Sequence, residues 1–193
     1  MRLMIPLSLA ILLLVSGCVS EPAVTEEQTV TQDWNPDGII SAGEYQYSQR
    51  LSDSMQIHWA TTDTMIRLAV VGRTPGWVGI GFGTSRMNVG VDYIFGYPEG
   101  DDLVVQDMYG ENPRCPMQPD SAIGGTDDIL RYGGRQADGV TTIEFERLLN
   151  TGDSFDHILR FDEEIPIIWS LSDSASIGVQ HRERGTTTIV LRR

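Results

Sequence analysis

The stretch Trp77-Val78-Gly79-Ile80-Gly81-Phe82-Gly83 decides the fold class of this chain. Large apolar residues alternate with glycines along it, and a period of two residues is the pattern of a β-strand. The apolar residues would face a core, while the three glycines and the tryptophan would share the opposite face. Glycine inside a strand often marks the close approach of a ligand or of another backbone. The glycine face therefore predicts a slot for a flat ligand, or tight packing against a second sheet or at a barrel corner.

The same alternation recurs along the rest of the chain, between clusters of Gly, Asp, Asn and Pro. It predicts strands over residues 55–59, 66–70, 78–82, 93–97, 103–105, 142–145, 165–171 and 186–191. The stretch 147–150 is helix-like, and the sequence shows no long amphipathic helix and no internal repeat. Many short strands separated by turns predict an all-β fold in which antiparallel sheets pack as a sandwich.

The N-terminus has the features of an export signal. A mostly apolar run follows Arg2 over residues 3–15, and it is shorter than the roughly 20 residues that a membrane-spanning helix needs. The next residues, Val15-Ser16-Gly17-Cys18, resemble a lipobox, which implies that Cys18 becomes the lipidated first residue of the mature chain. The alternative is an ordinary secretory signal that carries an incidental cysteine.

These features divide the chain into three expected segments. Residues 1–17 would be a lipoprotein signal peptide, residues 18–33 a lipidated flexible tether, and residues 34–193 a folded domain. The tether is rich in Glu, Thr and Gln and cannot bury a core. Acyl chains on Cys18 would hold the domain at the outer face of the cytoplasmic membrane, or in the cell envelope, of a prokaryote.

The composition excludes several classes of function. The chain has a formal net charge of −13, which repels phosphate backbones, so we expect no nucleic-acid partner. It contains no lysine, which excludes lysine Schiff bases and P-loop chemistry. Its two cysteines cannot build a cysteine-rich zinc site or a four-cysteine iron–sulfur cluster. Because no Gly-x-Ser-x-Gly motif is present either, a hydrolase function has little support.

Two side chains near the glycine-rich strand and the last strand are candidate ligands. Met87 lies in a polar loop just after the glycines, although a lone methionine more commonly fills a core than binds a metal. His181 lies in a turn-rich stretch before the last predicted strand. The three histidines of the chain lack the short spacing of a zinc site.

Several segments, taken in order, resemble the DOMON family, the module found in dopamine β-hydroxylase relatives and as the cytochrome domain of cellobiose dehydrogenases. They are residues 37–45, 76–83, 87 with 90–93, 141–145 with 148 and 150–153, 168–170 and 181–185. The likeness covers roughly residues 34–191. It implies an immunoglobulin-like antiparallel β-sandwich of about 8–11 strands. It also implies a pocket for b-type haem or, in other members, for a sugar.

The resemblance assigns roles to particular residues. In the haem-binding members, a methionine after the glycine-rich strand and a histidine near the C-terminal strand hold the iron, and these positions match Met87 and His181. Two axial ligands leave no iron site for oxygen, so the resemblance implies a haem b module for single-electron transfer rather than an enzyme. The slot for the haem plate would be formed by Trp77, Gly79, Gly81 and Gly83.

The expected partners follow from the same assignment. Arg86 or Arg184 could pair with haem propionates; the sequence does not choose between them, and surface solvation is the more common role for such arginines. The acidic surface predicts a redox partner protein with a basic docking face. The alternative is a carbohydrate-binding or adhesion lipoprotein on the same fold without haem, which would expose Trp77, Tyr93 or Tyr97 as a platform for a sugar.

A second motif lies at the start of the predicted domain. Asp33, Asn35, Asp37, Gly38 and Glu44 match the calcium loop pattern D-x-N-x-D-G-x5-E. However, a proline interrupts the loop at position 36, and no helical pattern flanks it. The motif is therefore either a calcium site, with Asp33, Asn35, Asp37 and Glu44 as ligands, or the turn that leads into the first strand.

Overall fold

A computed structural model describes residues 34–86, 90–111 and 117–193. Over these residues the chain forms eleven strands and one short helix, which confirms the predicted all-β class. The elements are β1 Tyr47–Arg50, β2 Met55–Thr61, β3 Met65–Gly72, β4 Val78–Phe82, β5 Val91–Glu99, β6 Asp102–Gly110, β7 Gln118–Pro119, α1 Asp120–Ile123, β8 Ile129–Ala137, β9 Val140–Leu148, β10 Glu164–Leu171 and β11 Glu183–Val190. No helix in this part of the chain is long and apolar enough to cross a membrane.

The strands form two antiparallel sheets that pack as a sandwich. The five-stranded sheet has the order β1-β2-β3-β9-β8, and the six-stranded sheet has the order β11-β10-β4-β5-β6-β7. The main core lies between them and takes one face of each strand, as the alternation predicts. Its fully buried members include Ile57, Leu68 and Phe145 from one sheet and Ile80, Ile94 and Ile167 from the other.

Three local expectations differ from the structure. The stretch 147–150 is not helical, because Arg147 and Leu148 complete β9 and pair with Ile66 and Met65 of β3. The strand predicted over residues 103–105 is longer than expected, since β6 runs from Asp102 to Gly110. The sequence pattern did not reveal β8, since this edge strand exposes most of its side chains and is held mainly by its pairing with β9.

The outer face of the five-stranded sheet is covered by the N-terminal segment, which we define as residues 34–46. Trp34 is 3% exposed, and the guanidinium groups of Arg67 and Arg131 each lie about 5 Å from the centre of its ring. The Tyr45 hydroxyl donates a hydrogen bond of 2.5 Å to the Glu144 carboxylate on β9. This cover is therefore anchored by polar and cation–π contacts.

Candidate functional site

The outer face of the six-stranded sheet carries a second apolar cluster, which we call the aromatic face. Its buried members are Trp77, Val91, Tyr93, Phe95, Met108 and Ile168. Buried rings on the outer side of a sheet need a cover, and part of it comes from the loop between β10 and β11. Ile177 of this loop packs against the cluster, and the indole N–H of Trp77 donates to the Val179 carbonyl oxygen at 3.3 Å.

Two of the predicted slot glycines lie on the aromatic face, but the slot is not open. A Cβ atom on Gly79 would lie 2.5 Å from the Phe95 ring, and one on Gly81 would lie 2.8 Å from the Tyr93 ring. The two rings therefore pack directly against the bare backbone of β4. At Gly79 and Gly81, the space that a slot for a flat ligand would need is filled by rings of the neighbouring strand β5.

The third glycine does not share that face. Gly83 lies one residue beyond the end of β4 and has a φ of 83°, in the left-handed region that favours glycine. A Cβ atom there would clash with the imidazole of His157 rather than meet Tyr93 or Phe95. The alternation predicts the face of a residue only while the strand continues, and the turn after Phe82 ends it.

A cavity of about 500 Å³ opens beside the aromatic face. Tyr93 and Ile168 contribute apolar surface to it, and the sheet register explains their position, since both pair with Gly81 from opposite sides. The volume lies within the roughly 300–1,000 Å³ that small-molecule and cofactor sites occupy. Two further segments line it, Ser85 and Arg86 after β4, and Arg184, Gly185 and Thr186 on β11. Ile168 and Thr186 were not among the predicted site residues, because only the register places Ile168 beside Gly81 and Thr186 beside Ile168.

His181 lies next to this cavity. It is half-buried, and its Nε2 atom is 3.4 Å from Nη1 of Arg184, which lines the cavity. Burial, together with the positive charge of Arg184, lowers the pKa of His181 below its usual value. This shift favours the uncharged imidazole, which is the state that can ligate a metal. His58 lies elsewhere, on the outer side of the five-stranded sheet, where it contacts the Tyr45 ring.

The remaining predicted residues fall into two groups. Met87, Cys18 and Asp33 lie outside the described residues. Trp77 is described, and it is 3% exposed and packs edge-on against Phe95 with ring centres 5.4 Å apart. Because Tyr93 is also 3% exposed, these two rings do not form the open platform that a sugar would stack on.

The residues of the calcium-like loop make local turn contacts. Asp37 accepts hydrogen bonds from the backbone N–H of Ile39 at 2.9 Å and from the Asn35 side-chain amide at 3.1 Å. Glu44 accepts the backbone N–H of Ser41 at 2.8 Å. In the described part of the chain, Asp37 and Glu44 do not belong to a group of three acidic side chains with converging oxygens. These contacts are those of a turn that leads into a strand.

The comparisons with known proteins agree with this architecture. The chain matches no curated protein. The model of the DOMON domain matches residues 51–172, which include β2 to β10 and most of the residues around the cavity. DOMON domains are extracellular modules of haem-binding and other ligand-binding proteins. Since the match spans more than half of its residues, the chain belongs to the DOMON family.

Proposed function

We propose that this protein is a lipid-anchored, extracytoplasmic cytochrome module that binds haem b in the cavity beside the aromatic face and transfers single electrons. The observation that carries the proposal is the set of segments around the cavity. One wall contains Ser85 and Arg86, directly before Met87 in the sequence, and another contains Arg184, in contact with His181. Residues next to each of the two proposed iron ligands thus line a single cavity.

The chemistry of the lining fits a haem. Tyr93 and Ile168 belong to the apolar wall of the cavity, while Arg86 and Arg184 supply guanidinium groups suited to carboxylates such as propionates. Burial and the charge of Arg184 lower the pKa of His181 and so favour its neutral form. The glycines of β4 act indirectly in this arrangement, because they admit the Tyr93 and Phe95 rings.

When bound, haem iron with two side-chain ligands supplies one-electron redox chemistry without an open coordination position. The chain itself would hold and orient the group and shield one of its faces from water. With a net charge of −13, its surface would dock a redox partner that presents a basic face.

An absorption spectrum tests the proposal. The purified protein, mixed with haem, is expected to show the Soret band of a low-spin, six-coordinate iron. Met87→Ala and His181→Ala should each convert the spectrum to a high-spin form, whereas His58→Ala, on the other sheet, should leave it unchanged. If the protein binds no haem the proposal fails, and if neither ligand variant alters the spectrum the ligand assignment is wrong.

The lipid anchor has its own test. In a prokaryotic host, Cys18→Ala should move the protein from the membrane fraction to the soluble fraction and abolish incorporation of a labelled fatty acid. Cys115→Ala removes the other cysteine of the chain and serves as the matched control. It should leave membrane association and fatty-acid incorporation unchanged. Equal membrane association of the two variants would contradict lipidation of Cys18.

A further inference from the structure

Four aspartates meet at one end of the main core, on the side of the six-stranded sheet that faces away from the cavity. We call Asp92, Asp107, Asp120 and Asp156 the acidic cluster. Asp92, Asp107 and Asp156 each offer an oxygen within 4.8 Å of the others. Asp120, from α1, lies close enough for its charge to act on those of Asp92 and Asp156. The exposed fractions of Asp92, Asp107 and Asp120 are 2%, 4% and 1%.

The positive charge next to the cluster does not balance it. Arg147 is fully buried and donates to Asp92 Oδ2 at 2.8 Å, and its Nη2 atom lies 3.3 Å from Asp156 Oδ2. One guanidinium thus faces four carboxylates. An unpaired buried charge is strongly unfavourable, so the excess must be neutralised by protons or by a bound cation.

The hydrogen bonding points to a missing ligand. Asp92 Oδ2 also accepts the backbone N–H of His157 at 2.9 Å, and Asp107 Oδ2 accepts that of Asp128 at 3.0 Å. The Oδ1 atoms of Asp92, Asp107 and Asp120 are buried and have no hydrogen-bond partner. Buried oxygens without partners are rare in folded proteins and mark the place of an ion, a water or a proton. In both Asp92 and Asp107, Oδ2 accepts hydrogen bonds and Oδ1 has no donor.

We propose that the acidic cluster binds one calcium ion, with Asp92, Asp107 and Asp156 as side-chain ligands and Asp120 supporting them. The burial and the all-oxygen chemistry of the cluster favour calcium. Calcium takes six to eight oxygen ligands, including carboxylates and backbone carbonyls, in flexible geometry. Magnesium dehydrates reluctantly and keeps several waters, for which carboxylates that are 2–4% exposed leave little access.

The site would connect parts of the chain that are distant in sequence. Asp92 is on β5, Asp107 on β6, and Asp156 in the segment between β9 and β10. In the absence of an ion, burial would raise the pKa of Asp107 to about 8 and that of Asp120 to about 7, so protons would compete with the metal. The site is separate from the calcium-like loop at residues 33–44, and it does not depend on haem binding.

Calcium titration of the purified haem-free chain, after treatment with EDTA and removal of the chelator, tests the proposal. Calcium chloride is expected to raise the melting temperature in a saturable way and to give a one-site binding isotherm by calorimetry. Magnesium chloride at the same ionic strength should have a much smaller effect. An equal response to both salts, or no response to calcium, would overturn the proposal.

Isosteric variants locate the ion. Asp107→Asn and Asp120→Asn remove buried negative charges while keeping the shape of the side chain, so both proteins are expected to fold, with circular dichroism as the check. Asp107→Asn should weaken calcium binding by at least tenfold, and Asp120→Asn by less. Asp37→Asn, in the calcium-like loop, is the matched control and should bind calcium as the parent does. Loss of binding in Asp37→Asn with retention in Asp107→Asn would move the ion to the loop and refute the assignment.

Discussion

The outer faces of the two sheets are closed in opposite ways. On the five-stranded sheet, the N-terminal segment lies across the strands and is fastened by specific polar contacts, such as those of Trp34 with two arginines and of Tyr45 with Glu144. On the six-stranded sheet, buried rings meet the β10–β11 loop, and a cavity of about 500 Å³ remains beside them.

Among the described residues, the difference favours the six-stranded sheet as the side that takes a ligand. The cavity there has an apolar wall against which a flat ligand can be buried. On the five-stranded sheet, the N-terminal segment is held by hydrogen bonds and cation–π contacts instead. We therefore expect changes on the outer face of the five-stranded sheet to alter stability alone and changes on that of the six-stranded sheet to alter binding.

The largest expected effect is on the outer face of the five-stranded sheet. Trp34→Ala should lower the free energy of unfolding by about 3–5 kcal/mol, because it removes a buried ring and its two cation–π contacts. Urea unfolding measures the loss. Ile39→Ala, in the same segment but at a residue that is 51% exposed, should change the free energy by less than about 0.5 kcal/mol. If the folded Trp34→Ala protein bound haem more weakly than the parent, changes on this face would not alter stability alone.

Filling the cavity should separate binding from stability. Thr186→Trp places an indole in the cavity from an exposed position on β11 and should weaken haem binding about 100-fold, equivalent to about 2.8 kcal/mol. Thr188→Trp, two residues along the same strand face, is the matched control and should bind haem normally. Both should unfold at nearly the parent temperature. Unchanged affinity in Thr186→Trp, measured by spectral titration, would place the haem elsewhere.

A smaller effect is expected where the glycine-rich strand meets the rings. Gly79→Ala introduces a methyl group 2.5 Å from Phe95, so overpacking should cost about 1–3 kcal/mol of unfolding free energy. Gly178→Ala is the control, since its nearest neighbour lies 3.7 Å away. Denaturant unfolding of both variants checks this, and equal stabilities would mean that the Phe95 ring moves aside without cost.

The smallest expected effect carries a pH dependence. Tyr45→Phe removes the donor to Glu144 and should lower the free energy of unfolding by about 1 kcal/mol at pH 8. Burial raises the pKa of Glu144, and the tyrosine hydroxyl opposes this by stabilising the carboxylate. The loss should therefore be larger at pH 8, where the carboxylate is ionised, than at pH 4, where it is protonated. A loss that does not vary with pH would show that this hydrogen bond does not favour the charged form.

Much of the fold was predictable from local patterns. Alternation along residues 78–82 and 165–171 correctly separates inward from outward side chains, because successive residues of a strand point to opposite faces in any sheet. The edge strand β8 escaped prediction, since its stability comes from pairing with β9 and not from its own apolar residues. Arg147 was assigned to a helical turn, although its buried partners Asp92 and Asp156 hold it at the end of a strand.

The sequence by itself determined the class of fold, the family resemblance, and which residues of β4 turn away from the main core, because these depend on residues close together in the chain. Only the tertiary structure decided what lies against the glycines, namely the Tyr93 and Phe95 rings, and that two aspartates of the acidic cluster, Asp92 and Asp156, share one guanidinium. Both results depend on strand order and register, which are set by pairing between remote segments and leave no local signal in the sequence.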